Sequence, residues 1–279
     1  MGKSAIRMAR TALSILRRQG PLELLRAIGR KLRRPKSQSD KSSQHEVDIA
    51  FVFLRANQRR GVMVDVGAHY GGTLRRFAKA GWQVHAFEPD SENRKVLLEQ
   101  GYGEMPNVNI DARAVSDKAG RNVPLYRSEE STGISGLSAF HPTHVRGETV
   151  EVTTLEVFMN EQSIEKIDFL KIDTEGFDLF VLKGFPWDRA HPQLILCEFE
   201  DRKTQPLGYT FHEMAGFLEQ QGYKLIVSEW YPVKRYGIVH DWRRYVTYPC
   251  ELADPKAWGN FFAVKETHYR ALAAACGLD

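Results

Sequence analysis

The chain has 279 residues, 42% hydrophobic and 27% charged, a composition that supports a packed core and excludes wholesale disorder or a fibrous repeat. Its three cysteines, Cys197, Cys250 and Cys276, are odd in number and lack metal-ligand spacing, so they read as free thiols of a reducing compartment. The formal charge of +4 is uneven: Met1 to Lys36 carries eleven Lys/Arg against the single acid Glu23, a net +10 that leaves −6 for the rest and argues against a broad nucleic-acid-binding face on the body.

The basic extension comes first in the chain. Ala12-Leu13, Ile15-Leu16, then Leu22, Leu24-Leu25, Ile28 and Leu32 recur at helical spacing on either side of Gly20-Pro21, with arginines over much of the remaining circumference. Two amphipathic helices are expected, suited to an anionic membrane surface or a membrane-bound partner; a solvated basic extension is the alternative. Arg and Lys interrupt the stretch too often for a secretory signal, and nowhere does an apolar run approach the ~20 residues that span a bilayer. The protein is therefore expected in the cytoplasm, at most peripheral at the inner membrane surface. Residues 1–44 form this extension with its polar, Ser-rich linker from Pro35 to Gln44, and 45–279 the folded domain.

From Val47 onward strands alternate with helices. Val47 to Asn57 reads as a helix, Gly61 to Val66 as a short apolar strand, Gly71 to Ala80 as a helix and Gln83 to Phe87 as a strand. Ser91 is the expected N-cap of a helix to Gln100, and Val108 to Val115 the next strand. Val123 to Tyr126 and Val150 to Thr153 alternate like edge strands around a Ser/Gly-rich loop. Ile167 to Ile172 and Leu194 to Phe199 are buried strands flanking a helix from Phe177 to Lys183, and Tyr223 to Val227 and Phe261 to Val264 close the series. Repeated βα units predict a mostly parallel sheet with helices on both faces.

The first chemical signal is Val64-Asp65-Val66-Gly67-Ala68-His69-Tyr70-Gly71, a buried strand running into a glycine turn and a helix. Ligands of open α/β sheets bind at the carboxyl ends of such strands. A dinucleotide fingerprint would place glycines at 67, 69 and 72, but position 69 is His69, where the backbone would have to approach a pyrophosphate. That substitution favours an adenosyl cofactor without a pyrophosphate. Phe87-Glu88-Pro89 ends the next strand, 21 residues after Gly67, where a carboxylate can accept from both hydroxyls of a ribose or simply cap the next helix. In the third signal, IDFLKIDTEGFD, Asp173 and Glu175 follow a buried strand and precede a glycine. Buried carboxylates there are costly unless hydrogen-bonded, solvated or used.

Together these residues resemble the FkbM family of methyltransferases, whose hallmark is close to Ile167 to Gly184 (IDFLKIDTEGFDLFVLKG). VDVGAHYG, the FEP acid, Ala114-Val115-Ser116-Asp117 and Val152-Thr153-Thr154-Leu155 also match, over roughly Val62 to Glu200. One departure is Glu156, where the family often has aspartate. The resemblance implies a Rossmann-like class I methyltransferase fold with a seven-stranded sheet, S-adenosylmethionine as donor, and usually O-methylation of a hydroxyl on a sugar or polyketide-type metabolite. It places Asp65, Gly67, Ala68, His69, Tyr70 and Gly71 in the cofactor loop and Glu88 and Pro89 at the ribose. Ala114 and Val115 fall near the adenine, and Asp173 and Glu175 beside the reacting centre.

A sugar hydroxyl is a weak nucleophile, so a base or a metal is expected. Asp173 is the first choice for polarising or deprotonating it, with Glu175 orienting it or sharing Mg²⁺, for which Glu198 or Glu200 would be needed as further ligands. His69, His141, His144 and His240 are the loop histidines available as alternative bases. Tyr231, Tyr236, Trp242 and Tyr245, near Arg235, Arg243 and Arg244, would stack on a sugar or pack a late hairpin. The function expected is O-methylation of a saccharide, glycoconjugate or related small molecule; RNA methylation through the basic tail and a non-catalytic scaffold are the alternatives.

Overall fold

The computed structural model describes residues 43–278, so the two helices expected in the extension and the membrane contact expected of residues 1–36 lie outside the described residues. The elements run α1 (Ser43–Asn57), β1 (Val62–Val66), α2 (Leu74–Lys79), β2 (Gln83–Phe87), α3 (Ser91–Glu99), β3 (Val108–Asp111), β4 (Ala114–Val115), β5 (Gly120–Ser128) and β6 (His144–Thr153). There follow α4 (Leu155–Glu161), β7 (Phe169–Ile172), α5 (Asp178–Lys183), β8 (Leu194–Glu200), α6 (Asp201–Thr204), α7 (Phe211–Gln220), β9 (Tyr223–Trp230), β10 (Trp242–Thr247), β11 (Trp258–Lys265) and α8 (Glu266–Cys276).

The main sheet has the order β10-β9-β11-β8-β7-β1-β2-β3. Neighbours from β8 through β3 are parallel, while β11, β9 and β10 join antiparallel. Along β7 and β8 the side chains alternate between two cores, Phe169, Leu194 and Leu196 on one face and Leu170, Ile172, Ile195 and Cys197 on the other. A strand covered on both faces reads as a continuous apolar run, which is why these two were legible in the sequence. The α/β architecture is the expected one. Its sheet has eight strands where seven were expected, and the strand not foreseen is β10. β10 is a half-exposed edge strand with two adjacent arginines; Arg244 Nε donates to the buried Glu229 of β9 at 2.6 Å.

Two local readings are corrected. The helix cap is Asp90 rather than Ser91: its carboxylate accepts from the amides of Glu92 and Asn93. The expected strand from Val108 to Val115 is broken after Asp111, whose carboxylate accepts from the Arg113 amide at 2.9 Å and pairs with its guanidinium. The chain turns there, and β4 enters a separate three-stranded sheet of order β4-β6-β5. Thr154 and Thr210 cap α4 and α7, accepting from the Val157 and Glu213 amides. Among the described residues no helix is long and apolar enough to cross a membrane.

Candidate functional site

β1 lies between β2 and β7, with Val66 level with both Phe87 and Ile172. The next residues, Gly67, Glu88 and Asp173, therefore leave the sheet side by side. Gly67 sits at φ 81°, and a Cβ there would stand 1.9 Å from the Asp173 carbonyl oxygen, so only glycine lets the two loops meet. The Gly67 and Ala68 amides both donate to the Phe87 carbonyl at 3.0 Å. Glu88 turns back on the glycine loop, accepting from the His69 amide at 2.7 Å and the Asp90 amide at 3.0 Å.

These strand ends open into a cavity of about 200 Å³. Of the residues singled out in the sequence, Gly67, His69, Glu88, Pro89, Ala114, Val115, Asp173 and Glu175 line it. Four others do not. Asp65 is fully buried beneath the loop, 3.7 Å from the Lys171 ammonium. Ala68 is buried in the core. Gly71, at φ 78°, turns where a Cβ would strike the Tyr102 ring and Leu97. Tyr70 stacks behind the lining on His69, ring centroids 3.7 Å apart.

The cavity also has a wall that motif reading did not assign, from Asn93, Leu125 and the Ser/Gly-rich segment Thr132 to Leu137. Thr132 Oγ1 lies 3.1 Å from His69 Nε2 and 2.8 Å from Tyr70 Oη, and its carbonyl accepts from Asn93 Nδ2 at 3.3 Å. Ser135 Oγ donates to Asp90 at 3.0 Å, and Arg127 of β5 grips the same carboxylate at 2.6 and 2.7 Å. The small sheet thus clamps this loop over the glycine turn. Its density of Ser and Gly was the available signal, since close backbone approach needs small residues. Asn93 is buried and lines the cavity, and its Oδ1 has no hydrogen-bond partner within the protein. A ligand hydroxyl or amine would satisfy it.

Asp173 and Glu175 each face a buried ammonium. Lys171 donates to Asp173 Oδ2 at 3.2 Å and to the Gly67 carbonyl at 3.1 Å. Burial opposes charge on Asp173, but Lys171 and Lys203 outweigh it and hold its carboxyl below the usual carboxylate range. Its side chain keeps 39% exposure, so it can meet a ligand. Glu175, at φ 57°, is held by Lys203 at 2.7 Å, and burial nevertheless pushes its carboxyl up to about 7. The turn between them is fixed by Asp178, which accepts from Thr174 Oγ1 and the Gly176 amide, and by Tyr209, which donates to the Gly176 carbonyl at 2.7 Å.

One oxygen each of Asp173, Glu175 and Glu198 fall within 4.8 Å of one another, a spacing open to a cation. The Lys203 ammonium already lies there, 2.7 Å from Glu175 and 2.9 Å from each of Glu198 and Glu200. A fixed positive charge amid the oxygens does not suit a divalent ion, and the expected Mg²⁺ finds no support in this donor set. Of the candidate histidines only His69 lines the cavity. His144 Nε2 donates to the Ile134 carbonyl of the loop at 2.9 Å, His141 packs on Tyr236, and His240 packs on Trp258. Trp242 and Tyr245 of β10 pack with ring centroids 4.8 Å apart and planes inclined at 50°, and Arg243 covers Tyr231 at 4.9 Å.

Residues 65–225, more than half of the chain, match the sequence profile of the methyltransferase FkbM domain. No curated protein sequence matches the chain. Among solved structures, it is similar to an rRNA methylase from Streptococcus thermophilus (TM-score 0.43, 9% identity, covering 82% of this chain and 100% of that one). It is also similar to precorrin-6y C5,15-methyltransferase from Geobacter metallireducens GS-15 (0.41, 12%, 83% and 94%). A third is the O-methyltransferase from Bacillus cereus in complex with SAH (0.41, 10%, 92% and 97%).

Proposed function

Since the chain belongs to the FkbM methyltransferase family, we propose that it transfers a methyl group from S-adenosylmethionine to a hydroxyl of a saccharide, glycoconjugate or related small molecule. The observation that carries this reading is the convergence of Gly67, Glu88, Asp173 and Glu175 on one cavity. Glu88 and Asn93 would hold the ribose, since both are buried and Asn93 Oδ1 awaits a donor. Ala114, Val115 and Leu125 offer an apolar slot for the adenine. The His69 side chain stands in this wall where a dinucleotide needs bare backbone, which supports an adenosyl donor.

When bound, S-adenosylmethionine supplies an electrophilic methyl carbon on a sulfonium. The protein's part is to hold the acceptor in line and take its proton. The two carboxylates divide that work by their environments. Asp173, kept ionised by Lys171, would set a fixed negative charge beside the hydroxyl and stabilise the positive charge that develops on its oxygen. Glu175, with its carboxyl near neutrality, receives the proton as the oxygen–carbon bond forms and the sulfur–carbon bond breaks. Tritium transfer from methyl-labelled donor to a panel of saccharides and sugar nucleotides tests the acceptor class. Label entering RNA instead of any hydroxylated small molecule would overturn it.

We further propose that the basic extension binds anionic membrane, bringing the site to lipid-borne or polymeric acceptors inside the cell. Each Lys or Arg near such a surface contributes about 1 kcal/mol, weakened by salt. The full chain is expected to co-sediment with phosphatidylglycerol vesicles at low salt and to leave them at high salt. Equal sedimentation after Arg17, Arg18, Arg30, Lys31, Arg33 and Arg34 are all replaced by Gln would contradict this.

A further inference from the structure

Lys203 lies outside the hallmark segment, on the short helix α6, yet it is among the most deeply buried side chains, with 2% exposure. A lysine ammonium has three N–H donors and no acceptor. Here three carboxylates surround it, Glu175 from the turn after β7 and Glu198 and Glu200 from β8, at 2.7, 2.9 and 2.9 Å. The Phe140 ring closes the remaining side, 5.5 Å from the nitrogen. The Lys203 Cβ also bounds the Gly176 turn, so stem and head together fix how the turn carrying Glu175 sits.

We propose that the Lys203 ammonium is a built-in counter-ion that takes the place of a divalent cation beside the reacting centre, positioning Glu175 and making the site metal-independent. Two features argue for this. First, the carboxylate oxygens have the close spacing of a cation site, and bringing them together without a positive charge would leave buried anions in mutual repulsion. Secondly, Glu175 Oε2 is turned to Lys203 although its residue lines the cavity. Its orientation is therefore set by the ammonium and not by the acceptor. The other charged or titratable groups facing this pocket are Asp173 and Asp178 on the β7–α5 turn, Tyr236 and His240 on the loop after β9, Lys171 of β7, 3.2 Å from Asp173, and Arg202 of α6, 3.3 Å from Glu200. Among the described residues neither Lys171 nor Arg202 pairs with Glu175 or Glu198, the two acids that Lys203 joins. The proposal rests on the assignment of Glu175 to the reacting centre, but its test needs neither donor nor acceptor.

Mn²⁺ serves as the probe, followed by electron paramagnetic resonance on the full chain. Wild type is expected to show no Mn²⁺ site that depends on Glu198, so its titration should match that of Glu198→Gln. Lys203→Ala removes the ammonium from among the carboxylates and should gain a Mn²⁺ site at least about tenfold tighter than any in wild type, because carboxylate oxygens are the ligands such ions take. Lys203→Arg keeps the charge and should gain none. A Mn²⁺ site in wild type that Glu198→Gln abolishes would overturn the proposal, as would a folded Lys203→Ala protein with no new site. If Lys203→Ala does not fold, the comparison of wild type with Glu198→Gln decides alone. Binding of S-adenosylhomocysteine to wild type, measured in parallel, reports separately on the methyltransferase reading.

Discussion

Replacing Asp173 with Asn is expected to lower methyl transfer by about 10²–10³-fold, the range typical of losing a preorganised electrostatic group at a reacting centre, while melting temperature and donor affinity stay near wild type. The change is nearly isosteric, and the side chain faces the cavity with 39% exposure, so little packing depends on its charge. Lys171 keeps Asp65 and the Gly67 carbonyl as partners. What disappears is the fixed negative charge at the acceptor hydroxyl. The pH profile should separate Asp173 from Glu175. Burial raises Glu175 to about 7, so its proton-accepting form fills as pH rises through neutrality. In wild type kcat/KM should climb with pH to a plateau above that value. Glu175→Gln should lose both the rate and the limb, whereas Asp173→Asn should keep the limb at a lower plateau. An unchanged rate in Asp173→Asn would assign the chemistry to other groups.

The second large effect is expected at Glu88. Glu88→Ala should weaken S-adenosylmethionine by about 1.5–3 kcal/mol, roughly 10- to 150-fold in Kd, the cost of losing a hydrogen-bonding charged group. It also releases the His69 and Asp90 amides that the carboxylate now accepts from, so part of the loss is a loosened glycine loop. The two contributions differ in their pH dependence. Burial lifts the Glu88 carboxyl to about 7, and ribose hydroxyls donate best to its ionised form. Donor affinity in wild type should therefore rise as pH passes upward through 7, and Glu88→Gln should abolish that rise. Wild-type affinity in Glu88→Ala would place the ribose elsewhere.

Much of this site is legible in the sequence, because its strands are buried on both faces and their ends carry side chains with no place in a core. Val62–Val66 and Leu194–Glu200 announce themselves as largely apolar runs, and Asp65 within β1, Glu88 after β2 and Asp173 and Glu175 after β7 stand out against such strands. Less legible was whatever depends on partners distant in sequence. Asp65 reads like a ligand residue, but its partner is Lys171 beneath the loop. Lys203 reads like a solvated helix lysine until Glu175, Glu198 and Glu200 are brought around it. The wall from Thr132 to Leu137 has no periodicity of its own. It becomes part of the site only because Arg127 and Ser135 both reach Asp90. β10 was hidden because an edge strand needs no apolar alternation, and its arginines answer a glutamate on the neighbouring strand.

On the proposed reading, the cavity at the ends of β1, β2 and β7 binds an adenosyl methyl donor and not a dinucleotide. Isothermal titration calorimetry on the full-length protein tests it most directly. S-adenosylmethionine and S-adenosylhomocysteine should each bind at one site per chain, with NAD giving no heat of binding. Binding of NAD in competition with S-adenosylhomocysteine, or failure of both adenosyl ligands to bind a folded protein, would contradict the account.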